Sequence, residues 1–225
     1  MRLDDALAPA TAAVVLRLRA LFDLDARPDV VDAHLRRDPA LAPFVERAPG
    51  LRVPGAFDPW ELVVRAILGQ QVSVRAATTV SGRLVAAFGR PVDAGRAARF
   101  PDAGVLAAAR VEDVRAIGIP AARARTIVAL AEGVASGAID LACEADPERM
   151  IASLLALRGI GEWTASYVAM RVLRRPDAFL SGDLAARKAL GVDRARDAER
   201  LSARWRPYRA YALMHLWRSL ALGGG

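Results

Sequence analysis

Four features of this sequence combine residue types and spacings that can do chemistry. They are a glycine-rich turn, an aspartate behind a Ser-Gly pair, three aromatic side chains and a glutamine pair. The turn lies in LLALRGIGEWTASYV, where Arg158-Gly159-Ile160-Gly161 joins two apolar helical segments. Glycines at 159 and 161 permit positive φ and let another backbone come close. Glu162 opens the second segment, and the first N–H groups of a helix have no partner inside it. A glycine turn at that place is a ready anion site, although a lone Gly-x-Gly reads far more readily as an ordinary tight turn. Asp183, in Leu180-Ser181-Gly182-Asp183, reads from its position as the N-cap of a helix Leu184–Leu190. Trp163 and Tyr167 are four apart and share a helix face, and Trp217 stands on the last helix. Aromatics of this kind usually fill a core. Gln70 and Gln71 close an apolar segment, where a polar pair is ordinary.

The elements that must position these residues read as nearly all helix. Apolar spacing predicts a helix over Ala10–Leu24. Asp58-Pro59 and Asp146-Pro147 each pair an N-cap residue with a proline at the first helical position. A long helix then ends at Gly89, and Asp102–Ala109, Val111–Ala116 and Pro120–Ser136 follow. Glu162–Arg174 stops at Pro176, and Asp183–Leu190, Arg194–Trp205 and Pro207–Leu222 complete roughly ten helices. No pair of alternating strands is expected, and residues 38–57, rich in Pro and Gly, read as a connection. VRAIGIPAARARTIVAL (Val114–Leu130) weakly repeats LLALRGIGEWTASYVAMR (Leu154–Arg171), as apolar helix, Gly-Ile turn and small-residue helix.

Composition narrows the setting. The 225 residues are 54% apolar, enough for a sizeable core and too many for a disordered chain. No apolar run approaches the roughly 18 residues of a membrane span, and no basic region precedes an apolar stretch as in a secretory signal. Cys143 is the only cysteine, which excludes an internal disulfide framework, a Cys-ligated zinc site and a four-cysteine iron–sulfur cluster. A reducing cytoplasm is the expected compartment. Lys+Arg is 32 against 25 Asp+Glu, a net +7 that suits a polyanion, nucleic acid first. Biased composition accounts for it as well, because Ala and Arg dominate and Lys188 is the only lysine.

The string LxxLxGIGxWTA is more specific than its glycines. It closely resembles the hairpin of the helix-hairpin-helix DNA glycosylases, in the branch of 3-methyladenine DNA glycosylase II. RAILGQQVSVRAA (Arg65–Ala77), DAFLSGDLAARKAL (Asp177–Leu190) and WRPYRAYALMHLW (Trp205–Trp217) resemble further landmarks of that family, in order. The resemblance implies an all-α fold of two helical lobes with an active-site cleft between them. Residues 1–58 would pack with 177–225 as one lobe, and 59–176 would form the other. The extra N-terminal α/β domain of the best-known member would be missing, or reduced to residues that pack with the C-terminal helices.

Roles follow from the resemblance. Asp183 is the matching catalytic aspartate; Trp163, Tyr167 and Trp217 match the walls of a pocket for a flipped base. Aromatic faces attract the positive charge of N3- or N7-alkylated purines. Gln70 and Gln71 occupy the segment that carries the wedge, with Gln71 at its tip, where the best-known member has an apolar residue. Gly159, Gly161 and Thr164 match DNA-backbone contacts, and the carbonyls of Leu155, Leu157 and Ile160 match a structural Na+ or K+ site. Trp163 stands where bifunctional branches carry a Schiff-base lysine, so no lyase step is expected. The implied protein is a monomeric enzyme that binds double-stranded DNA, releases alkylated purines and needs no cofactor. The competing reading is a non-catalytic helix-hairpin-helix module that binds DNA or senses damage. A glycosylase for oxidised or mismatched bases is a third. The arginines at 171, 174 and 175, and at 204, 206 and 209, are candidate phosphate contacts.

Overall fold

Capping chemistry sets the helix starts. In the computed structural model, Asp58 accepts hydrogen bonds from the N–H groups of Trp60 and Glu61, and Asp146 accepts one from Arg149. Pro59 and Pro147 sit just inside, where a missing N–H costs nothing. The structure describes residues 5–92, 97–142 and 145–223; Cys143 lies outside them.

The chain falls into two compact units. One runs to Phe57 and resumes at Ala169; the other is Asp58–Val168. The second boundary therefore falls inside a helix, Glu162–Arg171, rather than at residue 176.

The first unit begins with a 3-10 turn, Asp5–Ala10, followed by α1 (Thr11–Leu21), α2 (Pro28–Leu35) and α3 (Ala42–Arg47). α3 lies inside the stretch read as a bare connection; its Pro43 occupies the first helical turn and does not break it. The second unit holds α4 (Pro59–Leu68), α5 (Val74–Phe88), strands β1 (Arg90–Val92) and β2 (Ala97–Arg99), then α6 (Ala103–Ala107), α7 (Val111–Arg115), α8 (Ala121–Ala135) and α9 (Pro147–Leu155). α10 (Glu162–Arg171) crosses the boundary, and α11 (Leu184–Leu190), α12 (Ala195–Ser202) and α13 (Arg209–Gly223) complete the first unit. Thirteen α-helices among the described residues, against roughly ten expected, leave the all-α reading intact with one addition. β1 and β2 pair antiparallel, Arg90 opposite Arg99 and Val92 opposite Ala97. At these lengths no alternation of apolar and polar residues can develop, so the sequence carries no strand signal.

Each unit has its own core. Leu35, Leu41, Val45, Leu213 and Leu216 are buried in the first, around Trp205, whose indole N–H donates to Asp38. Val63, Ile67, Leu84, Leu106, Ile127, Leu130 and Leu154 are buried in the second. No described helix is long and apolar enough to cross a membrane.

Candidate functional site

The hairpin α9–α10 is built as its glycines imply, with different work for each. Gly159 has φ +97, and a Cβ there would lie 2.2 Å from the Thr126 hydroxyl oxygen. No L side chain fits that combination. Thr126, buried on α8, donates to the Arg158 carbonyl at 2.8 Å and fixes the turn. Gly161 is not in the left-handed region, and a Cβ there would meet nothing within 4 Å. Its role is open space before the N-terminus of α10, where N–H groups can face an anion.

Trp163 and Tyr167 lie stacked on α10, ring centroids 5.3 Å apart and planes 6° from parallel. Both are half-buried, so they form a ledge more than a core. Thr164, one residue on, is 1% exposed. Its side chain therefore faces the interior. The Thr164 hydroxyl accepts the Gln70 amide N–H at 3.1 Å, and the Gly159 carbonyl accepts it at 3.0 Å. The half-exposed Gln70 side chain thus braces the hairpin. Gln71 is exposed and has φ +55, a conformation rare for a residue with a side chain. It stands alone at the tip of the α4–α5 turn, beside the exposed Val72 and Val74.

The internal repeat is visible in the backbone. Gly118, between α7 and α8, has φ +99, close to the +97 of Gly159, and Ile119 and Ile160 are both buried after them. The next position differs: Pro120 against Gly161. Pro has no N–H, so the first hairpin offers an anion one donor fewer.

In the first unit, Asp183 holds two donors at once. Its Oδ1 accepts the Ala186 N–H at 2.8 Å, capping α11, and the Trp217 indole N–H at 2.9 Å. The cap that position alone suggested and a specific aromatic partner are both present. Asp183 itself is half-buried, and Leu184 beside it is exposed.

The arginines of the C-terminal cluster, at 204, 206 and 209, all carry ion pairs, but only Arg209 is buried; Arg204 and Arg206 stay exposed. Arg204 pairs with Asp38, Arg206 with Asp177, and the buried Arg209 with both Asp177 and Glu199. Among the other cluster, Arg171 donates to the Gly55 carbonyl, while Arg174 and Arg175 are exposed. His215 is buried on α13, and burial holds its pKa below the ordinary histidine value. No group of three or more His, Cys, Asp or Glu among the described residues could hold a metal ion. A cation held by carbonyls is a separate matter. The Leu157 carbonyl accepts the Ile160 N–H at 3.0 Å in the turn. That leaves a second lone pair, and neutral carbonyl oxygens suit a hard monovalent ion. Sequence reasoning missed Arg123 and Thr126, which brace the turns from α8; nothing in their spacing marks them.

Comparison with known proteins gives a consistent result. Residues 64–204 match the profile described as HhH-GPD superfamily base excision DNA repair protein, and residues 1–58 match that of the AlkA N-terminal domain. The segment read as all that stands for the N-terminal domain thus carries a match to it. A Mycobacterium tuberculosis protein named "Probable bifunctional transcriptional activator/DNA repair enzyme AlkA" is 46% identical over 211 residues, 91% of this chain and 42% of that protein. The chain therefore spans less than half the length of that relative. Escherichia coli DNA-3-methyladenine glycosylase 2 is 34% identical over 218 residues, 96% of this chain and 75% of that one. The solved 3-methyladenine DNA-glycosylase from Archaeoglobus fulgidus superposes with a TM-score of 0.79 at 23% identity, covering 96% of this chain and 76% of that one. A likeness at that identity speaks for the fold.

Proposed function

The chain belongs to the HhH-GPD superfamily of base excision DNA repair proteins, and from that premise we propose that it is a monofunctional DNA glycosylase for alkylated purines such as 3-methyladenine. The observation that carries the reading is Asp183, a half-buried carboxylate fixed by the Ala186 and Trp217 N–H groups. A carboxylate so held needs no reorganisation to act. It stabilises the oxocarbenium-like transition state as the glycosidic bond breaks, and orients or deprotonates the attacking water. Water adds to C1′, the base departs with the bonding electron pair, and an abasic site remains. Alkylation makes the base a good leaving group, so a permissive pocket suffices.

Trp163, Tyr167 and Trp217 are assigned to the flipped base, whose positive charge favours aromatic faces. Gln71 is assigned to the gap left in the duplex, where its amide can stack on or hydrogen-bond to the orphaned base. Gly161 and the start of α10 are assigned to a DNA phosphate. The carbonyls of Leu155, Leu157 and Ile160 would hold a monovalent cation, which adds positive charge beside that phosphate when bound. Trp163, in place of a hairpin lysine, supports hydrolysis without a Schiff base. Action as a cytoplasmic monomer on double-stranded DNA belongs to the same proposal.

The test is base release from methylated duplex DNA, with strands separated before and after alkali. Free 3-methyladenine with breaks only after alkali is the expected result. Breaks without alkali would replace hydrolysis by a lyase mechanism. Tight, salt-sensitive binding with no release would favour the damage-sensing module.

A further inference from the structure

The turn between α4 and α5 ends in a residue held in an unfavourable conformation, and something must hold it there. Gln71 has φ +55, which costs an L residue on the order of 1–3 kcal/mol unless the surroundings over-determine it. Arg123 on α8 supplies the constraint. Its Nη2 donates to the Gln70 carbonyl at 2.6 Å and its Nη1 reaches the Leu68 carbonyl at 3.5 Å. One planar guanidinium thus engages the last turn of α4 and the residue immediately before Gln71. The Gln70 side chain continues the chain of bonds to the Gly159 carbonyl and the Thr164 hydroxyl in the hairpin. Thr126, one turn along α8 from Arg123, ties down the other side of the same hairpin.

We propose that Arg123 is the positioning residue of the wedge: by clamping the Gln70 and Leu68 carbonyls it holds Gln71 pre-aimed and locks the wedge turn to the hairpin. This rests on the reading of Gln71 as the wedge. A wedge that must be rigid when it enters the duplex gains from a brace that is already formed. Arg suits the task better than Lys, because its fork reaches two acceptors with a fixed geometry. The guanidinium is part-buried and turned onto backbone carbonyls, so its work is within the fold and not on phosphate.

The test compares binding to two duplexes, one undamaged and one carrying a tetrahydrofuran abasic analogue opposite 2-aminopurine. Kd, its salt dependence and 2-aminopurine fluorescence are measured. Arg123→Met should leave the undamaged Kd and salt slope unchanged. It should cut the preference for the gapped duplex about tenfold, the scale of one lost charge-assisted hydrogen bond. The 2-aminopurine change should fall with it, as it should for Gln71→Ala, and Arg123→Lys, which can keep the Gln70 bond but not both, should restore only part of each. Equal weakening on both duplexes, with the salt slope reduced by about one, would make Arg123 a phosphate contact and overturn the proposal. An unchanged preference would overturn it too. If Gln71→Ala keeps full preference, the wedge reading itself fails and the proposal with it; if only Arg123→Met does, the wedge stands and the clamp falls. Should Arg123→Met not fold, Gln70→Met severs the other half of the brace and must show the same selective loss.

Discussion

Replacing Asp183 separates catalysis from structure, because its one carboxylate has two structural duties that an amide can keep. Oδ1 accepts from Ala186 N–H at 2.8 Å and from the Trp217 indole at 2.9 Å. In Asp183→Asn, the amide oxygen can accept both bonds, and Asn caps helices about as well as Asp. The structural loss at these two bonds is that of the charge at the start of α11, about 0.3–1 kcal/mol. The catalytic loss is much larger. Removing a fixed group aimed at developing charge costs on the order of 10²–10³ in rate, about 2.7–4 kcal/mol. Asp183→Ala also loses the cap, about 1 kcal/mol. It strands the half-buried indole N–H as well, about 1 kcal/mol more. A loss of about 2 kcal/mol is roughly 4–8 °C in Tm for a chain of this size. Base release per minute from methylated duplex and thermal unfolding are measured on the same preparations. Asn should be inactive at near-native Tm, and Ala inactive at a lowered Tm. An Asn variant that keeps release within about tenfold of wild type would discard Asp183 as the catalytic carboxylate. An Asn variant as unstable as Ala would refute the account of its hydrogen bonds.

Further expectations follow from single contacts. Trp217→Phe keeps a ring but removes the donor to Asp183, and should lower kcat/KM about tenfold with a Tm change under about 4 °C; unchanged kinetics would show the indole N–H to be idle. Gly159→Ala meets both φ +97 and the Thr126 hydroxyl, and should destabilise by about 2–4 kcal/mol in urea; a loss below about 0.5 kcal/mol would mean the turn relaxes freely. Burial depresses the pKa of His215 in the fold, so below about pH 6.5 the unfolded chain takes a proton that the folded one refuses. Its stabilising contribution is complete above that pH. It declines as pH falls toward the folded pKa, by at most about 1.4 kcal/mol per unit. Urea melts of His215→Leu between pH 5 and 7 should lose that component of the slope, and an identical slope in both proteins would assign it elsewhere.

What the sequence determined by itself was local and patterned. Asp-Pro starts, glycine stops and apolar periodicity set most helices within a few residues, since caps and proline act on their own turn. The string from Leu154 to Ala165 carried the hairpin, and Gly159 had to be glycine because the turn demands its φ. The three-residue strands and α3 were not legible, being too short for any period to show. Tertiary structure decided which polar groups are spent inside. The half-exposed Gln70 bonds the buried Thr164, and Arg209 is buried against Asp177 and Glu199, whereas Arg204 and Arg206 pair with Asp38 and Asp177 yet stay exposed. Partners in these pairs stand far apart along the chain, Gln70 and Thr164 by 94 positions, Asp183 and Trp217 by 34. Residue type states what a side chain can bond to, but only the packing of distant helices brings a donor within 3 Å of its acceptor. The Asp183–Trp217 bond and the Arg123 brace on Gln70 could therefore be found only in the folded chain.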